Sequence, residues 1–469
     1  MKFVEYILNE NIEQVERWNE YLNDIPMLFS AVKILKRIES KGFTAYIVGG
    51  AVRDIVLGIV PKDVDIATNC PIEVLDNMFK THDIGKNRDF GIVVATVDGH
   101  TFEIAQFRED GTYLDGRRPE SVKIVMSFKD DASRRDFTIN SMGIDKDGNI
   151  IDYFDGKKDI QNKIIRTVGN PKDRFQEDYL RMLRVARFSS RLGFDIEPDT
   201  VKAAKELRNN VSKLAPERIK DEFVKAASMS GDKFAKYILD LDKMGILEII
   251  FPEIVKMKEF LHHVEHHPEG GVFDHTIAAL EANKIKDPLV NLSILFHDLG
   301  KIMTFGQKEN GIPTYYGHAE ESMKIVDDIA TRLKMSNRER ETLIYAVGNH
   351  MRFHTILQMK PSKIAELVDN DNWDILVAVA RADSFSRGKL IDAGEFENIL
   401  KTAIEIKEKW GLKTAEKLLK IVDGNNVMKL TGLKTGKKVG EIIKKTTAWI
   451  IDNNINDNDK IDDYIRKQI

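Results

Sequence analysis

The sequence predicts an α+β protein in which a mixed head is followed by a long all-α region. Short strand-like apolar runs alternate with helical patterns from Ala31 to about residue 165, and strand signals nearly vanish after Arg166. The length of 469 residues allows roughly two to four domains. We therefore expect a head with a sheet of about five strands, followed by helices through the rest of the chain.

Soft changes in pattern divide the chain into five predicted segments. An N-terminal helical extension covers residues 1–25, and the mixed head covers residues 26–165. Three helical segments follow, which we term the neck (166–230), the body (231–390) and the tail (391–469).

Composition limits the possible classes of protein. The chain is 42% hydrophobic and 31% charged, which is typical of a water-soluble globular protein. It contains no apolar run long enough for a transmembrane helix, so no membrane partner is expected. A single cysteine, Cys70, excludes an intrachain disulfide framework and favours a cytoplasmic location. Because the net charge is −4, any binding of nucleic acid must depend on local basic surfaces.

The strongest local signal lies at the first strand of the head. A strand-like run ends at Gly49 and Gly50 and a helical pattern follows, so backbone N–H groups at the helix start can approach a phosphate. Asp63 and Asp65 are separated by one residue and would share one face of a strand. Paired carboxylates repel each other unless a cation lies between them, and Mg²⁺ commonly bridges carboxylates and substrate phosphates. Together these features predict a nucleotidyl-transferring palm, whereas a solvent-facing pair after a glycine turn is the simpler alternative.

Further charged residues of the head suit a nucleotide. Arg53 can donate to a triphosphate or pair with Asp54, and Glu103 is either a third metal-binding carboxylate or a structural acid. The polar segment from Phe107 to Val122 predicts a loop that closes over a nucleotide or a plain hairpin loop; it carries Arg108, Arg117 and Arg118.

A second phosphate or ribose contact is predicted in the segment RRDFTIN. Arg135 is the candidate donor there. Asp136 would either bond the sugar hydroxyl or orient Arg135.

The segment from Arg174 to Phe194 predicts one helix with a stripe of charge, formed by Asp178, Arg181, Arg184, Arg187 and Arg191. Cytosine and adenine each present an exocyclic amino donor beside a ring-nitrogen acceptor. Asp178 could accept from the amino group while Arg181 donates to the ring nitrogen, which would reject uracil and guanine because a charged group would lose its partner. An exposed arginine edge on an amphipathic helix is the alternative.

The ordered motifs GGAVRD, DVD, RRDFTIN and EDYLRMLRVARF resemble those of class II tRNA nucleotidyltransferases, the CCA-adding enzymes, and of the related bacterial poly(A) polymerases. The resemblance covers roughly residues 25–230 and continues more weakly to the end. It implies that the RNA 3′-hydroxyl attacks the α-phosphate of CTP or ATP with release of pyrophosphate. The residues it implies are Asp63 and Asp65 as Mg²⁺ ligands, and Gly50, Arg53, Arg135, Asp178, Arg181, Arg184 and Arg187 as nucleotide contacts.

The resemblance leaves the product open. The DGRRP loop resembles that of family members that add the terminal A, which favours complete CCA addition to tRNA. Poly(A) polymerase or A-only addition is the first alternative. A phosphohydrolase whose head only binds RNA is an alternative of another class.

Nine of the eleven histidines lie between His262 and His354. Their order with two aspartates resembles the HD phosphohydrolase superfamily, in which imidazole and carboxylate ligands converge in a helical core. The resemblance implies phosphatase or phosphodiesterase activity with a transition metal such as Ni²⁺, Mn²⁺ or Co²⁺. Lys301 is a candidate phosphate contact, and His262, His263, His266 and His267 are expected in a loop. The metal ligands it implies are His275, His297, Asp298, His318, His350 and Asp383.

The tail segment from Gly424 to Ile443 predicts two helical stretches joined by a basic turn. Lys434, Lys437 and Lys438 would contact an RNA backbone together with main-chain amides. The pattern resembles the tail of CCA-adding enzymes that grips the tRNA elbow, and an ordinary helical hairpin is the alternative.

Overall fold

The computed structural model describes residues 18, 21–82, 87–111, 122–260, 270–386, 393–410 and 422–469. The chain divides into two compact units. The first unit comprises Met1–Glu222 and Lys236–Ile250, and the second comprises Phe223–Ala235 and Phe251–Ile469. Among the residues just given, no helix is both long enough and apolar enough to span a bilayer.

A seven-stranded mixed sheet forms the centre of the first unit, with strand order β3-β4-β5-β2-β1-β8-β9. Strands β2 and β5 are parallel, and the other pairs in this sheet are antiparallel. The strands are β1 (Ala45–Val48), β2 (Asp65–Thr68), β3 (Thr81–His82), β4 (Ile92–Val97), β5 (His100–Gln106), β6 (Arg108–Asp110), β7 (Val122–Ile124), β8 (Gly143–Ile144), β9 (Ile150–Ile151), β10 (Ile164–Ile165) and β11 (Asp195–Ile196).

The helices up to Ile250 follow in chain order. They are α1 (Pro26–Glu39), α2 (Gly50–Val56), α3 (Ile72–Met78), α4 (Phe128–Ser133), α5 (Gly156–Asn162), α6 (Pro171–Glu177), α7 (Leu180–Leu192) and α8 (Pro198–Leu207), followed by α9 (Pro216–Ala227), α10 (Gly231–Lys243) and α11 (Ile246–Ile250). Beneath the sheet, an apolar cluster packs α4 against the strands and consists of Val48, Ala67, Phe107, Phe128 and Ala132.

Beyond Ile250, the residues that the structure describes form helices, their connections and one short hairpin, β12 (Gly306–Gln307) with β13 (Pro313–Thr314). Its helices are α12 (Pro252–Lys256), α13 (Val272–Ala282), α14 (Pro288–Phe296), α15 (Lys301–Thr304), α16 (His318–Arg332), α17 (Asn337–His354), α18 (Pro361–Val368), α19 (Trp373–Ser386), α20 (Ala393–Trp410), α21 (Gly424–Thr431), α22 (Lys437–Asn453) and α23 (Asn458–Arg466). Side-chain caps fix several of these starts, for example Asp287 before α14 and the Ser336–Glu339 capping box of α17.

The predicted α+β class is confirmed, but three details of the prediction were wrong. The sheet has seven strands because it includes the two-residue strands β3 and β8, which are too short to leave a periodic signal. One of the predicted strand-like runs of the head forms β7, which pairs with β6 in a separate hairpin and is not part of the main sheet. The helix predicted from Arg174 to Phe194 is two helices, because Asp178 takes an extended conformation (φ −148°, ψ 106°) between α6 and α7. The division into five segments stays a prediction.

Candidate active site and metal centre

A polar cavity of about 570 Å³ opens in the first unit beside the N-terminal end of α2. The predicted nucleotide and Mg²⁺ residues line it, with Arg187 as the exception. The lining residues from that prediction are Gly50, Arg53, Asp63, Asp65, Arg135, Asp178, Arg181 and Arg184.

Two carboxylates, Asp63 and Asp65, line this cavity, and a third, Glu103, lies beside Asp65. Asp65 begins β2, and Asp63 is exposed on the same side, since the intervening Val64 is buried. The parallel register sets Ile66 opposite Ile104, so the preceding residues, Asp65 and Glu103, lie on neighbouring strands at the same level. Both side chains lie on the face opposite the buried residues that flank them.

The surroundings of Asp65 raise the pKa of its carboxyl group. Desolvation within the cavity, then the charges of Glu103 and Asp63, raise it from 3.8 to about 6, while Arg135 acts in the opposite direction. Three carboxylates that repel one another are a donor set that suits a divalent cation such as Mg²⁺. Glu103 therefore joins the two predicted aspartates as a candidate ligand.

A glycine turn forms another part of the cavity lining. Gly49 has φ 72°, a left-handed conformation that favours glycine. A Cβ atom there would lie 3.4 Å from Nη1 of Arg135, and a Cβ atom on Gly50 would lie 3.4 Å from Nη2 of Arg53. Because neither residue has a side chain, both guanidinium groups lie directly against the main chain at the start of α2. This cluster of N–H donors fits a polyphosphate.

Arg53 is 2% exposed and makes the ion pair with Asp54 that the sequence left as an alternative. Its Nε and Nη2 donate to Asp54 Oδ1 at 2.9 and 2.7 Å, and its Nη1 donates to Asn140 Oδ1 at 2.7 Å. Burial lowers the pKa of Arg53, and the charge of Asp54 counteracts this effect. The ion pair therefore holds the guanidinium at the cavity wall.

The prediction that Asp136 orients Arg135 was wrong. Arg135 donates instead to Asp131, from Nη2 to Oδ2 at 2.9 Å. Asp136 accepts from Arg184, with Nη2 and Oδ2 2.6 Å apart, and from Nδ2 of Asn140 at 3.1 Å. Arg184, a predicted nucleotide contact, is thus fixed at the cavity by a carboxylate 48 residues earlier in the chain.

Asp178 and Arg181 are both held rigidly at the cavity. Asp178 Oδ1 accepts from the main-chain N–H of Leu180 at 3.0 Å, and Oδ2 accepts from Arg218 Nη2 at 2.8 Å. Arg181 is 9% exposed and donates to the main-chain carbonyls of Arg174 and Arg134 at 2.9 and 3.1 Å. It also pairs with Glu177.

Arg218 lines the cavity and was missed by the sequence analysis. It lies on α9, 40 residues from its partner Asp178, and no local spacing in the sequence connects the two. Arg187 was a predicted nucleotide contact, but it does not line the cavity. Its Nε donates instead to the buried Glu222 at 2.6 Å. It packs over the ring of Phe188, which lines the cavity and also lies beneath Arg53 and Arg184.

In the second unit the six predicted metal ligands converge. All are buried, with exposed fractions between 0 and 7%. They form two overlapping groups that share Asp298: one contains His275 and His297, and the other contains His318 and His350. Asp383 of α19 adjoins the first group, with Oδ1 3.0 Å from Nε2 of His275.

Main-chain carbonyls fix the tautomers of three of these histidines. The Nδ1 atoms of His297, His318 and His350 lie 2.7, 2.8 and 2.6 Å from the carbonyl oxygens of residues 294, 315 and 347. A carbonyl can only accept, so each Nδ1 carries a proton, and in the neutral ring each Nε2 presents a lone pair to the centre. Burial lowers the pKa of His350 to about 3, so the ring is neutral near pH 7.

The carboxylate of Asp298 lies between the two groups. Its Oδ2 is 3.2 Å from Nε2 of His297 and its Oδ1 is 3.3 Å from Nε2 of His318. Lys301, predicted as a phosphate contact, donates to Oδ2 of Asp298 at 2.5 Å. The turn that carries these residues needs Gly300, because a Cβ atom there would lie 2.0 Å from the carbonyl oxygen of His318. Imidazole nitrogens and carboxylates in this arrangement suit a transition metal.

His354 is a further residue at this centre that the sequence analysis did not select. Its Nε2 lies 3.1 Å from Oδ2 of Asp383. The spacing His350–His354, four residues apart on one helix, was a signal that could have identified it.

Several predicted contacts remain predictions. Lys434, Lys437 and Lys438 are exposed around the start of α22. Six residues of the sequence analysis lie outside the described residues: Arg117, Arg118, His262, His263, His266 and His267.

The mixed sheet, the glycine turn and the adjacent carboxylates define the head as a nucleotidyltransferase. Comparison with known families agrees. Residues 45–166 match the Poly A polymerase head domain, and residues 193–257 match the probable RNA and SrmB-binding site of polymerase A.

The chain belongs to the family of CCA-adding enzymes and poly(A) polymerases. It is 32% identical over 438 residues to the CCA-adding enzyme of Ligilactobacillus salivarius, and the aligned region covers 92% of this chain and 95% of that protein. The CCA-adding enzyme of Lactobacillus johnsonii is 44% identical over 216 residues, or 46% of this chain and 54% of that protein. The matched region thus spans only about half the length of some of these relatives.

Solved structures share the fold. The Bacillus stearothermophilus CCA-adding enzyme in complex with CTP has a TM-score of 0.67 at 24% identity and covers 94% of this chain and 98% of its own. The Thermotoga maritima CCA-adding enzyme complexed with tRNA has a TM-score of 0.56 at 20% identity, covering 98% of this chain and 97% of its own.

Proposed function

We propose that this protein is a CCA-adding tRNA nucleotidyltransferase that adds C, C and A to the tRNA 3′ end from CTP and ATP without a nucleic-acid template. One observation carries the proposal: Asp63 and Asp65, a glycine turn flanked by Arg53 and Arg135, and the fixed pair Asp178 and Arg181 all line a single cavity. Family membership supports the same reaction. The proposed location is the cytoplasm, which the single cysteine favours.

The chemistry is a transfer of a nucleotidyl group. The bond from the RNA 3′ oxygen to the α-phosphorus forms, and the bond from the α-phosphorus to the oxygen of the leaving pyrophosphate breaks. Asp63, Asp65 and Glu103 would hold Mg²⁺, which when bound lowers the pKa of the attacking hydroxyl and neutralises charge on the leaving group. Arg53 and Arg135 would bind the phosphates against the glycine turn.

Nucleotide selection would depend on Asp178 and Arg181. Each carboxylate oxygen has two lone pairs, so the bonds from Leu180 and Arg218 leave acceptor capacity on Asp178 for the amino group of cytosine or adenine. Arg181 would donate to the adjacent ring nitrogen. Since both side chains are already fixed by the protein, a base with the opposite donor and acceptor order cannot be accommodated without leaving a charged group unpaired.

An extension assay tests this function. Purified protein is given tRNA that ends before CCA, together with each triphosphate alone and then with CTP and ATP. We expect two C residues from CTP alone, and a terminal A only once CC is present. Long A tails from ATP alone would instead indicate poly(A) polymerase activity. Unchanged CMP incorporation by Asp63→Ala would rule out the head cavity as the reaction centre.

For the second unit we propose a metal-dependent phosphohydrolase centre. The observation that favours it is the convergence of three Nε2 atoms on Asp298, a cluster of imidazole and carboxylate donors that suits a cation. The six predicted ligands would hold Ni²⁺, Mn²⁺ or Co²⁺, which would supply Lewis acidity and an activated water for cleavage of a phosphate ester.

Hydrolysis of bis(p-nitrophenyl) phosphate and p-nitrophenyl phosphate with each metal tests this second function. We expect activity that depends on the metal and is absent in His297→Ala. If the wild-type protein hydrolyses these esters no faster than His297→Ala with any of the metals, the proposal is contradicted.

We also propose that Lys434, Lys437 and Lys438 contact the tRNA backbone. Their exposure around the N-terminal end of α22 supports this role, since main-chain N–H groups at a helix start favour phosphate.

A further inference from the structure

Asp131 is a buried carboxylate on α4 that lies behind the cavity wall. Its side chain is 1% exposed, and it is absent from the cavity lining. A buried carboxylate is stable only when its lone pairs are used by donors. At Asp131 these donors come from two consecutive arginines, Arg134 and Arg135, each of which lines the cavity.

The two oxygens of Asp131 divide these arginines between them. Oδ2 accepts from Arg135, at 3.3 Å from Nε and 2.9 Å from Nη2. This bidentate contact directs the remaining nitrogen, Nη1, toward the glycine turn, where it lies 3.4 Å from the position of a Cβ on Gly49. Arg135 therefore meets the turn in a single orientation that the carboxylate fixes from behind.

The other oxygen is directed to a different part of the head. Oδ1 accepts from Arg134 at 3.0 Å from Nε and 2.7 Å from Nη2, and from the main-chain N–H of Arg108 at 3.3 Å. Arg134 Nε also donates to the carbonyl of Arg108 at 3.0 Å. Both main-chain groups of Arg108, the first residue of β6, are thus bound by the same cluster. The carbonyl of Arg134 accepts in turn from Arg181.

We propose that Asp131 is a positioning residue for nucleotide addition, which fixes Arg135 as a phosphate donor against the glycine turn and ties it to strand β6. This inference rests on the proposed function. Asp131 itself does not contact the substrate; it orients Arg135, which does. Because every nucleoside triphosphate presents the same phosphates, Asp131 would act on CTP and ATP alike and leave the choice of base unchanged.

Asp131→Asn is the informative substitution. An amide has one acceptor oxygen, so one of the two arginines faces an N–H donor and must move. We expect the KM for CTP and the KM for ATP to rise by the same factor, about tenfold or more. The inhibition constant for pyrophosphate, a probe without a base, should rise in parallel, while the preference for CTP over UTP stays at the wild-type value. Asp130→Asn is the matched control, since the adjacent Asp130 is exposed.

A double-mutant cycle separates orientation of Arg135 from a general loss of structure. If Asp131 acts through Arg135, Asp131→Asn should raise the KM for nucleotide no further in an Arg135→Ala background. It should still raise that KM in an Arg134→Ala background. Full additivity with Arg135→Ala, or unchanged KM values in a folded Asp131→Asn protein, would overturn the inference.

Asp131→Glu provides a second measurement if the asparagine variant fails to fold. It keeps the charge but displaces the oxygens by one methylene, so we expect a smaller rise in both KM values, and unchanged values would overturn the inference. CMP incorporation by the wild-type protein tests the proposed function separately from this inference. No CMP incorporation by wild type would defeat that function, whereas active wild type with an unaffected Asp131 variant would defeat only this inference.

Discussion

The Nε2 atoms of His318 and His350 lie 3.1 Å apart, yet neither can donate a hydrogen bond to the other. Each ring already carries its proton on Nδ1, which donates to a main-chain carbonyl. Two lone pairs at this distance repel each other, and Oδ1 of Asp298 adds negative charge 3.3 Å from one and 3.8 Å from the other. A cation bound by all three atoms removes the repulsion.

We therefore expect His318→Ala to lower the transition-metal content of the purified protein by about one ion per chain, because one of the two ligand groups loses a member. Elemental analysis by mass spectrometry after incubation with Mn²⁺ or Ni²⁺ and desalting measures this content. The control is His82→Ala, an exposed histidine of β3. Equal metal content in wild type and His318→Ala would show that the second ligand group holds no ion.

The cluster of six candidate metal ligands was predictable from sequence because these rare residue types follow one another in a recognisable order. The head was predictable for a related reason, since Gly49, Gly50 and the Asp63–Asp65 pair are local patterns that the backbone translates directly into geometry. Residues that act through distant partners left no such pattern. Arg218 meets Asp178 across 40 positions, and only the folded chain shows the contact.

Charge periodicity was the weaker guide in the neck. It grouped Arg184 and Arg187 on one stripe, yet their partners, Asp136 and the buried Glu222, direct one to the cavity and the other away from it. Spacing on a helix determines which face a residue occupies, but the carboxylates supplied by other elements determine where a long side chain ends.

Proton competition at Asp65 should make Mg²⁺ binding depend on pH. The pKa of Asp65 is raised from 3.8 to about 6, so between these pH values the folded metal-free protein holds a proton that the unfolded chain has released. This proton must leave when Mg²⁺ binds. Affinity for Mg²⁺ should therefore be full above about pH 6 and fall by up to about tenfold per pH unit below it.

Isothermal titration of Mg²⁺ into the protein with a non-hydrolysable CTP analogue, at pH 7 and at pH 5, measures this effect. Glu103→Gln removes one of the charges that raise the pKa, so its pH dependence should shift to lower pH. Equal wild-type affinities at the two pH values would contradict the assignment of Asp65 as a ligand.

Base selection should weaken when Asp178 loses its carboxylate. For Asp178→Ala we expect the ratio of kcat/KM for CTP to that for UTP to fall by about 10- to 100-fold, because uracil no longer faces a fixed acceptor. Single-nucleotide incorporation on tRNA lacking CCA measures the ratio. An unchanged ratio would indicate that the base is read elsewhere.

Arg218→Ala should weaken the same selection by a smaller factor. Asp178 then keeps its bond from the main-chain N–H of Leu180 but loses the guanidinium that holds Oδ2. The same incorporation ratio is measured, with Lys202→Ala as the control because Lys202 is exposed on α8. A fall as large for Lys202→Ala would point to a general defect.

The lysines around the start of α22 should affect the RNA and not the nucleotide. Replacing Lys434, Lys437 and Lys438 together by alanine should raise the KM for tRNA and flatten its dependence on salt, since up to about three phosphate contacts are lost. The KM for CTP should stay unchanged. Steady-state kinetics at two salt concentrations measures both constants, and an unaltered KM for tRNA would contradict the assignment.

The two centres should be separable by mutation. The residues that line the head cavity all belong to the first unit, and the six predicted metal ligands all belong to the second. His297→Ala combined with Asp298→Ala removes two ligands without altering the cavity, so CMP and AMP incorporation should persist while hydrolysis of phosphate esters is lost. Asp63→Ala should do the converse, because Asp63 lies two residues from Asp65 among the carboxylates proposed to hold Mg²⁺. Both activities are measured on the same preparations, with circular dichroism to verify folding. If the folded His297→Ala and Asp298→Ala protein no longer adds nucleotides, the metal centre contributes to the first reaction and the division into two independent sites is wrong.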